Sequence, residues 1–283
     1  MPELPDVEGF RRVLDSCVRG RSIERVEVAD PGVLREVTPW RLERALVGRC
    51  FAEPRRHGKW LIAATDGPVV LLHFGMTGSL VCCSPADPLG RHDRVAFVAG
   101  ERQLRYRDQR KLQGIRLVAD QDGVRRALSE LGPDALDVGP AEFDELIDGR
   151  RARIKAVLMD QSVLAGLGNL LADEILWRAR VAPDRQAAGL AAEERRRIHR
   201  AMRRVLRDSV RVGHIPAGST WLTGRRDSPD PACPRCGTRL RRGRITGRTT
   251  LWCPHCQGEG QALSGAAGVP AVEQDPSDDP GRE

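Results

Sequence analysis

The strongest chemical signal in the sequence is a quartet of cysteines near the C-terminal end. Two residues lie between Cys233 and Cys236, two lie between Cys253 and Cys256, and 16 residues separate the two pairs. Two such knuckles can supply four thiolates to one tetrahedral zinc ion, which makes the metal structural rather than catalytic. Disulfides are the alternative, and a cytosolic chain disfavours them. The spacing therefore predicts a zinc ribbon.

The stretch between the two knuckles is basic and contains no acid. Its arginines are Arg239, Arg241, Arg242, Arg244 and Arg248. A metal-pinned hairpin that carries these side chains suits contacts with phosphate groups. Zinc ribbons also occur in protein-binding modules, so the quartet alone leaves the partner open.

The front of the chain, MPELPDVEG, places reactive groups ahead of a helical pattern. Pro2 and Glu3 precede a helix predicted over residues 5–18, with Asp6 and Glu8 near its positive end. Taken alone, the stretch is a stiff, acidic start to a helix.

A glycine-rich turn lies within residues 157–179. One apolar helix is predicted to end near Asp160, and a second to begin at or near Asn169, a favoured N-cap residue. Between them lies the turn Gly166-Leu167-Gly168. Free N–H groups at a helix N-terminus bind phosphate, although a turn of this kind is common between helices.

The secondary structure that must position the cysteine quartet, the front of the chain and the glycine-rich turn differs between the two halves of the chain. A second helix is predicted at 40–47, and short β-type runs then follow one another closely, which indicates an antiparallel sandwich or barrel. After Asp120 the pattern becomes helical, and residues 143–212 are predicted to be helices. The β-type runs are WLIAAT, PVVLLHF, SLVCC, RVAFVAG, RQLRYRD and GIRLVAD.

The other four cysteines are scattered in apolar surroundings, and we predict that they are reduced thiols of the core. They are Cys17, Cys50, Cys82 and Cys83.

The positive charge is concentrated in one segment. Residues 1–150 hold 23 basic and 24 acidic side chains, whereas residues 151–262 hold 22 and 10, and 21 of those 22 are arginines. Arginine suits bidentate phosphate contacts, which indicates a nucleic acid partner. The arginine bias of a GC-rich genome and solvated helix faces, as over residues 191–210, explain the composition equally well.

Taken together, these pieces resemble the bacterial Fpg/Nei family of DNA glycosylases. The matching stretches run in the family order over residues 1–257. They are MPELPDVE, RRHGKWL, HFGMTG, RYRDQRK, LGPDAL, the helix-two-turn-helix segment at 157–179 and the ribbon ending WCPHCQ.

The resemblance implies an α+β multidomain fold: an antiparallel β-sandwich with flanking helices, then a helical domain with a zinc ribbon. The expected limits are a catalytic domain at 1–130, a hinge at 131–142, a helix-two-turn-helix domain at 143–224 and a ribbon at 225–262. The remaining acidic segment, 263–283, is expected to be disordered.

The resemblance also implies chemistry at the front of the chain. Once Met1 is removed, the amine of Pro2 becomes the nucleophile that attacks the sugar C1′, and the iminium product promotes β- and δ-elimination. Glu3 is the implied acid–base partner. Base eversion leaves a gap in the duplex; Met76 matches the residue that fills it, and Arg110 the residue that pairs with the orphaned base.

Further side chains are carried over as DNA contacts. Lys59, counted with the catalytic residues, matches a hairpin lysine near the lesion phosphate. Asn169 and Arg248 match the turn and ribbon residues that hold the flanking backbone. Lys155 matches a lysine near the active site, and His92 is expected to contact a phosphate.

Two departures bear on the substrate. Leu112 stands where enzymes for oxidised purines usually have Phe, and position 6 is Asp rather than the commoner Glu. Only a short segment separates Trp221 from Cys233, whereas those enzymes carry a longer loop over 8-oxoguanine. The start PELP favours the Fpg branch, while the short loop favours the Nei branch.

Three hypotheses follow. The first is a bifunctional glycosylase and AP lyase for formamidopyrimidine and 8-oxoguanine lesions in double-stranded DNA; the second shifts the preference to oxidised pyrimidines. The third is a damaged-DNA-binding protein without catalysis, which the presence of Pro2, Glu3 and Lys59 disfavours. With no leader and no long apolar run, we expect a monomeric bacterial protein of the cytoplasm, associated with the nucleoid and not with a membrane.

Overall fold

A computed structural model describes residues 1–258, so the predicted tail at 263–283 and the last residues of the predicted ribbon lie outside it. The N-terminal half opens with helix α1 (Leu4–Val18) and contains α2 (Pro39–Leu46) and α3 (Gln121–Ala127). Its strands are β1 (Arg25–Val28), β2 (Leu34–Arg35), β3 (Arg55–His57), β4 (Trp60–Ala64), β5 (Val69–His73), β6 (Ser79–Cys83), β7 (Asp93–Ala99), β8 (Arg102–Arg107) and β9 (Ile115–Val118).

These nine strands form two sheets, with the order β1-β7-β8-β6 in one and β2-β9-β5-β4-β3 in the other. Neighbouring strands are antiparallel except β2 and β9, where Leu34 lies opposite Ile115 in a parallel pair. The predicted sandwich is confirmed. Its antiparallel pairing holds throughout except for this short parallel pair at one edge.

The core of the sandwich is aromatic where the sheets meet α1. Phe51 and Phe97 contact each other edge to face, with ring centroids 5.9 Å apart, and Phe74 stacks on Tyr106 at 5.6 Å. Leu14 of α1 is fully buried against them. This packing fixes the helix that carries Glu3 at its N-terminal end.

One pair of the scattered cysteines is a disulfide. Cys17 of α1 is bonded to Cys82 of β6, so the prediction that all four are reduced thiols is wrong for this pair. Cys50 and Cys83 are free and half-buried. The error has a physical reason: 65 residues separate the bonded cysteines, and only the packing of α1 on the sheet brings them together.

The second half is helical, as predicted. It contains α4 (Pro140–Ile147), α5 (Ile154–Met159), α6 (Asn169–Ala179) and α7 (Ala192–Val212). Helix α6 is buried along nearly its whole length, and α7 buries the predicted stripe that includes Ile198 and Met202. Because α4 begins at Pro140, the helical half starts inside the predicted hinge.

A hairpin of β10 (Arg241–Ile245) and β11 (Arg248–Trp252), followed by the short helix α8 (Pro254–Gln257), completes the described chain. Ile245 lies opposite Arg248 at the tip of the hairpin. The hairpin packs on α6 through Leu251 and Trp177. At the other end of α6, the side chain of Asn169 donates to the carbonyl oxygen of Thr249, which places Arg248 beside the N-terminal end of the helix.

Direct contacts join the two halves. The backbone N–H of Leu4 donates to the carbonyl oxygen of Gly166 at 3.1 Å, and the Leu4 side chain belongs to the helical core. Arg12 of α1 donates to the carbonyl oxygen of Arg211 at 3.2 Å. Within the described chain, no helix is both long and apolar enough to span a bilayer.

Candidate active site and DNA-binding surface

The carboxylate of Glu3 lies at the N-terminal end of α6 and is completely buried. It accepts backbone N–H bonds from Gly168 at 2.8 Å, Leu170 at 2.8 Å and Leu171 at 3.2 Å. These N–H groups have no partner within a helix, and the helix dipole favours a negative charge here. The side chain of Glu3, from the front of the chain, therefore caps helix α6, which follows the glycine-rich turn.

The glycine at position 168 makes this contact possible. A Cβ atom added there would lie 2.4 Å from the carboxyl carbon of Glu3, closer than any real contact. Gly168 is also the N-cap of α6, and Asn169 is the first helical residue. The prediction that Asn169 caps the helix is therefore wrong: its side chain turns towards the ribbon instead.

Burial sets the protonation behaviour of Glu3. It raises the pKa of Glu3 above its ordinary value, while the charge of Lys59 and the three N–H donors oppose the rise. The carboxyl group therefore binds a proton more readily than an exposed glutamate does. A buried carboxyl group with a raised pKa is typical of a general acid.

Pro2 directly precedes Glu3 and is half-buried, with Met1 exposed beyond it. The backbone N–H of Glu3 donates to Asp6 Oδ2 at 2.8 Å. This bond fixes the chain just before α1 begins at Leu4. The residue after the predicted nucleophile is thus held by α1 through its backbone N–H and by α6 through its carboxylate.

Lys59 lies in the two-residue turn between β3 and β4, as the sequence predicts. Its pKa is lowered by burial and by Arg248, and raised by the charge of Glu3. The charge of Lys59 thus interacts with those of both Glu3 and Arg248. The structure therefore brings together predicted site residues from three separate stretches of the sequence. His73, close to Lys59, is neutral at physiological pH, because burial, Lys59 and Arg116 lower its pKa to about 4.

A buried network that sequence reasoning missed fixes the Lys59 turn. Asp134 accepts from the backbone N–H of Gly58 at 2.7 Å and of Leu136 at 2.9 Å. It also binds Arg56, whose Nε lies 3.6 Å from Glu8 of α1. The network therefore ties the turn to α1 and to the segment between the two halves. The matched motifs RRHGKWL and LGPDAL contain its residues, but the sequence did not show that the two motifs contact each other.

Asn169 and Arg248 line a shallow cavity of about 390 Å³. Asn169 Nδ2 donates to the carbonyl oxygen of Thr249 at 3.0 Å, and its Oδ1 has no partner among the described residues. The guanidinium of Arg226, which sequence reasoning missed, lines the same cavity and binds Asp173 at 2.8 Å. Arg242 and Asp227 also belong to the lining. Three arginines, an amide and a helix N-terminus suit a phosphate group.

Lys155 occupies a different environment from the one expected. Its side chain is fully buried, and Nζ lies 2.6 Å from Asp173 Oδ1 and donates to Thr250 Oγ1 at 2.7 Å. An ammonium group without exposed surface cannot reach a DNA phosphate, so the prediction of a direct contact by Lys155 is wrong in this structure. It instead joins α5 to α6 and the ribbon.

The loop residues predicted to enter the duplex lie side by side. Arg110 donates to the sulfur of Met76 at 3.0 Å, and its backbone N–H donates to Thr77 and Asp108 at 3.1 Å each. Leu112 is half-exposed in the same loop region. These contacts hold Met76 and Arg110 as a pair.

His92 lies apart from these groups, before β7. Its Nδ1 is 3.3 Å from Arg94, and its carbonyl oxygen accepts from the backbone N–H of Asp108. It therefore contacts the same segment that leads to Arg110.

The four cysteines of the quartet converge, and their Sγ atoms all lie within 4.8 Å of one another. Cys236 lies 3.6 Å from Cys253 and 3.5 Å from Cys256, and Cys233 lies 4.0 Å from Cys256. Thiolates about 2.3 Å from a tetrahedral ion are roughly 3.8 Å apart, so the quartet fits a metal ion.

Comparison with known proteins agrees with this geometry. Residues 1–115 match the model of the formamidopyrimidine-DNA glycosylase N-terminal domain, and residues 131–220 match that of the formamidopyrimidine-DNA glycosylase H2TH domain. The chain is 37% identical to the formamidopyrimidine-DNA glycosylase of Symbiobacterium thermophilum, over 93% of this chain and 92% of that protein. It is 40% identical to that of Moorella thermoacetica, over 90% and 92%.

Solved structures of similar fold include complexes of the Lactococcus lactis enzyme with DNA. One contains abasic-site DNA (TM-score 0.83, 27% identity) and one contains Fapy-dG DNA (TM-score 0.82, 27% identity). Each match covers 90% of this chain and 99% of the other. The chain belongs to the formamidopyrimidine-DNA glycosylase family.

Proposed function

We propose that this protein is a base-excision-repair glycosylase with AP lyase activity that removes formamidopyrimidine and 8-oxoguanine lesions from double-stranded DNA. The observation that carries the proposal is the buried carboxyl group of Glu3, directly after Pro2 and within electrostatic reach of Lys59. The names of the relatives and the DNA complexes of the structural neighbours support the same reaction.

In the proposed reaction, removal of Met1 frees the secondary amine of Pro2. Its nitrogen attacks C1′ of the damaged nucleotide, and the base leaves with the electron pair of the broken bond and takes up one proton, equivalent to the one that the Pro2 nitrogen releases. Glu3 gives its proton to the ring oxygen as the sugar opens, which leaves an iminium ion between Pro2 and C1′. The iminium acidifies the C2′ proton, whose loss expels the 3′ phosphate and leaves a conjugated iminium; loss of the C4′ proton, acidified in turn, then expels the 5′ phosphate.

The cationic groups would hold the DNA during these steps. We assign Lys59, Asn169 and Arg248 to the phosphates that flank the lesion, and His92 to a phosphate further along. Met76 fills the gap left by the everted nucleotide, and Arg110 pairs with the orphaned base. Lys155 acts by positioning Asp173.

We propose that the metal held by Cys233, Cys236, Cys253 and Cys256 is one structural zinc ion, since four thiolates close the coordination shell. The catalytic domain is assigned to residues 1–130, the hinge to 131–142, the helix-two-turn-helix domain to 143–224 and the ribbon to 225–262. We infer that one monomer acts on one lesion, in the bacterial cytoplasm at the nucleoid.

A preference for oxidised pyrimidines is the second candidate, because the segment after Trp221 is short and firmly anchored. The backbone N–H of Leu222 donates to Glu174 at 2.8 Å, and Arg226 binds Asp173. A segment held in this way leaves no long loop to fold over a purine.

Borohydride trapping on an abasic-site duplex tests the reaction. The protein with Met1 removed should form a covalent adduct, whereas Pro2→Gly and a form that retains Met1 should not. Absence of the adduct in the processed protein, with DNA binding intact, would leave the non-catalytic binder as the function.

A substrate panel separates the two preferences. Duplexes with formamidopyrimidine, with 8-oxoguanine opposite cytosine and with thymine glycol should be cut in that order of rate. Faster excision of thymine glycol would establish the second candidate instead.

A further inference from the structure

A second basic surface lies at the C-terminal end of α6, around a depression of about 480 Å³. No acidic side chain lines it. Its six arginines are Arg178, Arg180, Arg197, Arg200, Arg204 and Arg235. We call these six residues the rear arginine surface.

Four of the six already have partners in the fold. Arg178 pairs with Glu174 at 2.6 Å and Arg200 with Glu193 at 2.7 Å. Arg235 stacks on an indole ring at 4.6 Å and, like Arg197, donates to a carbonyl oxygen at the end of α6. These contacts fix the positions of the four side chains, and the two glutamates offset the charges of Arg178 and Arg200.

The remaining two, Arg180 and Arg204, are exposed. Within residues 1–258, neither side chain makes a hydrogen bond or an ion pair. Arg180 ends α6 in the left-handed conformation, with φ 58°, and Arg204 projects from α7. Two free guanidinium groups therefore face the same depression from two helices.

This surface is separate from the proposed DNA cleft, by which we mean the face that carries Lys59 and the cavity lined by Asn169 and Arg248. Helix α6 has 11 residues, and with a rise of about 1.5 Å per residue its two ends are roughly 15 Å apart. Asn169 lies at one end and Arg180 at the other. The rear arginine surface therefore lies at the opposite end of α6 from the cavity assigned to the first duplex.

The chemistry of the surface favours phosphate over a protein partner. Arginine forks bind phosphate oxygens in pairs. A protein interface needs a buried apolar anchor, whereas the aromatic residue here, Trp177, is only 5% exposed. The surface thus offers charge without apolar contact area.

We propose that the rear arginine surface binds the phosphate backbone of a second DNA duplex, without reading its sequence, while the first lies in the cleft. A protein that holds two segments can pass from one to the other without complete dissociation. The inference rests on the DNA binding of the proposed function, but not on its chemistry.

A two-colour binding experiment tests this proposal. The protein is first saturated with a short labelled duplex that carries a tetrahydrofuran abasic analogue, and a longer undamaged duplex with a second label is then titrated. Fluorescence cross-correlation measures the complex that contains both. The wild-type protein should form it, with an affinity that falls as salt rises.

The variant Arg180→Gln/Arg204→Gln should bind the second duplex about tenfold more weakly, with a salt slope smaller by about two units, one for each arginine. Its affinity for the first duplex should not change. The matched control is Arg21→Gln/Arg102→Gln, which removes two exposed arginines of the N-terminal half that also have no side-chain partner in the described chain.

Three results would overturn the proposal. They are a wild-type protein that binds only the first duplex, a rear-surface variant that still binds the second duplex normally, and a control variant that loses as much as the rear-surface variant. If the wild-type protein does not bind the first duplex either, the proposed function fails, and the two failures are thereby distinguished.

Discussion

Two of the buried carboxylates along helix α6, those of Glu3 and Asp173, are held in different ways. Glu3 reaches the N-terminal end of the helix and accepts only backbone N–H groups. Asp173, one turn further along, binds Lys155 at 2.6 Å and Arg226 at 2.8 Å. Burial raises the pKa of both. The opposing groups are the charge of Lys59 and three backbone N–H donors for Glu3, and two contacting cations for Asp173.

The difference indicates that one carboxyl group serves the reaction and the other stabilises the fold. A carboxyl group held by N–H dipoles can take up and release a proton without losing an ion-pair partner. A carboxylate between two cations stabilises the fold by staying charged, and it leaves its partners buried and unpaired if it is removed. Glu3 should therefore govern rate, and Asp173 should govern stability and the shape of the ribbon.

The substitution Glu3→Gln should have the largest effect. The amide oxygen still accepts hydrogen bonds from the helix, but the amide NH2 group cannot accept them and the side chain cannot transfer a proton. We therefore expect single-turnover strand cleavage to fall about 1,000-fold. Affinity for a duplex with a tetrahydrofuran abasic analogue should stay within about threefold of wild type, as the phosphate contacts are unaffected. Cleavage close to the wild-type rate would remove Glu3 from the mechanism.

Lys155→Met should act on stability instead. It leaves Asp173 buried with one cation, and we expect the free energy of unfolding in urea to fall by about 3 kcal/mol. The double variant Lys155→Met/Asp173→Leu should recover part of this loss, because no unpaired carboxylate remains. An equal loss in both variants would show that packing, not charge, is the cause.

Gly168→Ala tests whether the close approach of Glu3 to α6 matters. The added Cβ would lie 2.4 Å from the Glu3 carboxyl carbon, so we expect a loss of about 2 kcal/mol and roughly 100-fold slower cleavage. Gly139→Ala is the matched control, since Gly139 is also a helix N-cap and a Cβ there meets nothing within 4 Å. Equal effects at both positions would contradict the account.

Lys59→Met should shift the pH dependence of stability. Because the folded state binds the Glu3 proton more tightly than the unfolded state, stability falls as pH rises from the ordinary value of 4.5 through the raised pKa. Removing Lys59 raises that pKa further, so the decline in melting temperature should extend to higher pH.

Lys111→Met is the control for this titration, since Lys111 pairs with Asp30 and lowers the pKa of that carboxyl group. The pairing stabilises the folded state at neutral pH and is lost as Asp30 is protonated in acid. Lys111→Met should therefore be less stable than wild type at neutral pH, with a difference that disappears on the acidic side and no change in the pH range where Glu3 titrates. Identical pH profiles for Lys59→Met and wild type would show that Lys59 does not influence Glu3.

The sequence predicted local elements better than contacts between distant segments. The runs from Trp60 to Val118 became strands within about a residue of their expected positions, since apolar content and turn residues mark them. Strand β1, Arg25–Val28, was missed because two of its four residues are charged, and β2 is only two residues long.

The candidate site shows the same limit. The cysteine quartet follows from spacing alone, but the contact between Glu3 and Gly168 joins residues 165 positions apart. The buried pair of Lys155 and Asp173, the disulfide and the Asp134 network likewise depend on how the two halves pack. Motif matching named Lys155 but could not tell a buried ion pair from a phosphate contact.

Peptide mapping of the borohydride-trapped adduct tests the central claim most directly. After digestion and mass spectrometry, the sugar remnant should lie on the N-terminal peptide, on Pro2, with Met1 absent. A remnant on Lys59 or any other lysine, or on a chain that retains Met1, would contradict the assignment of Pro2 as the nucleophile beside Glu3.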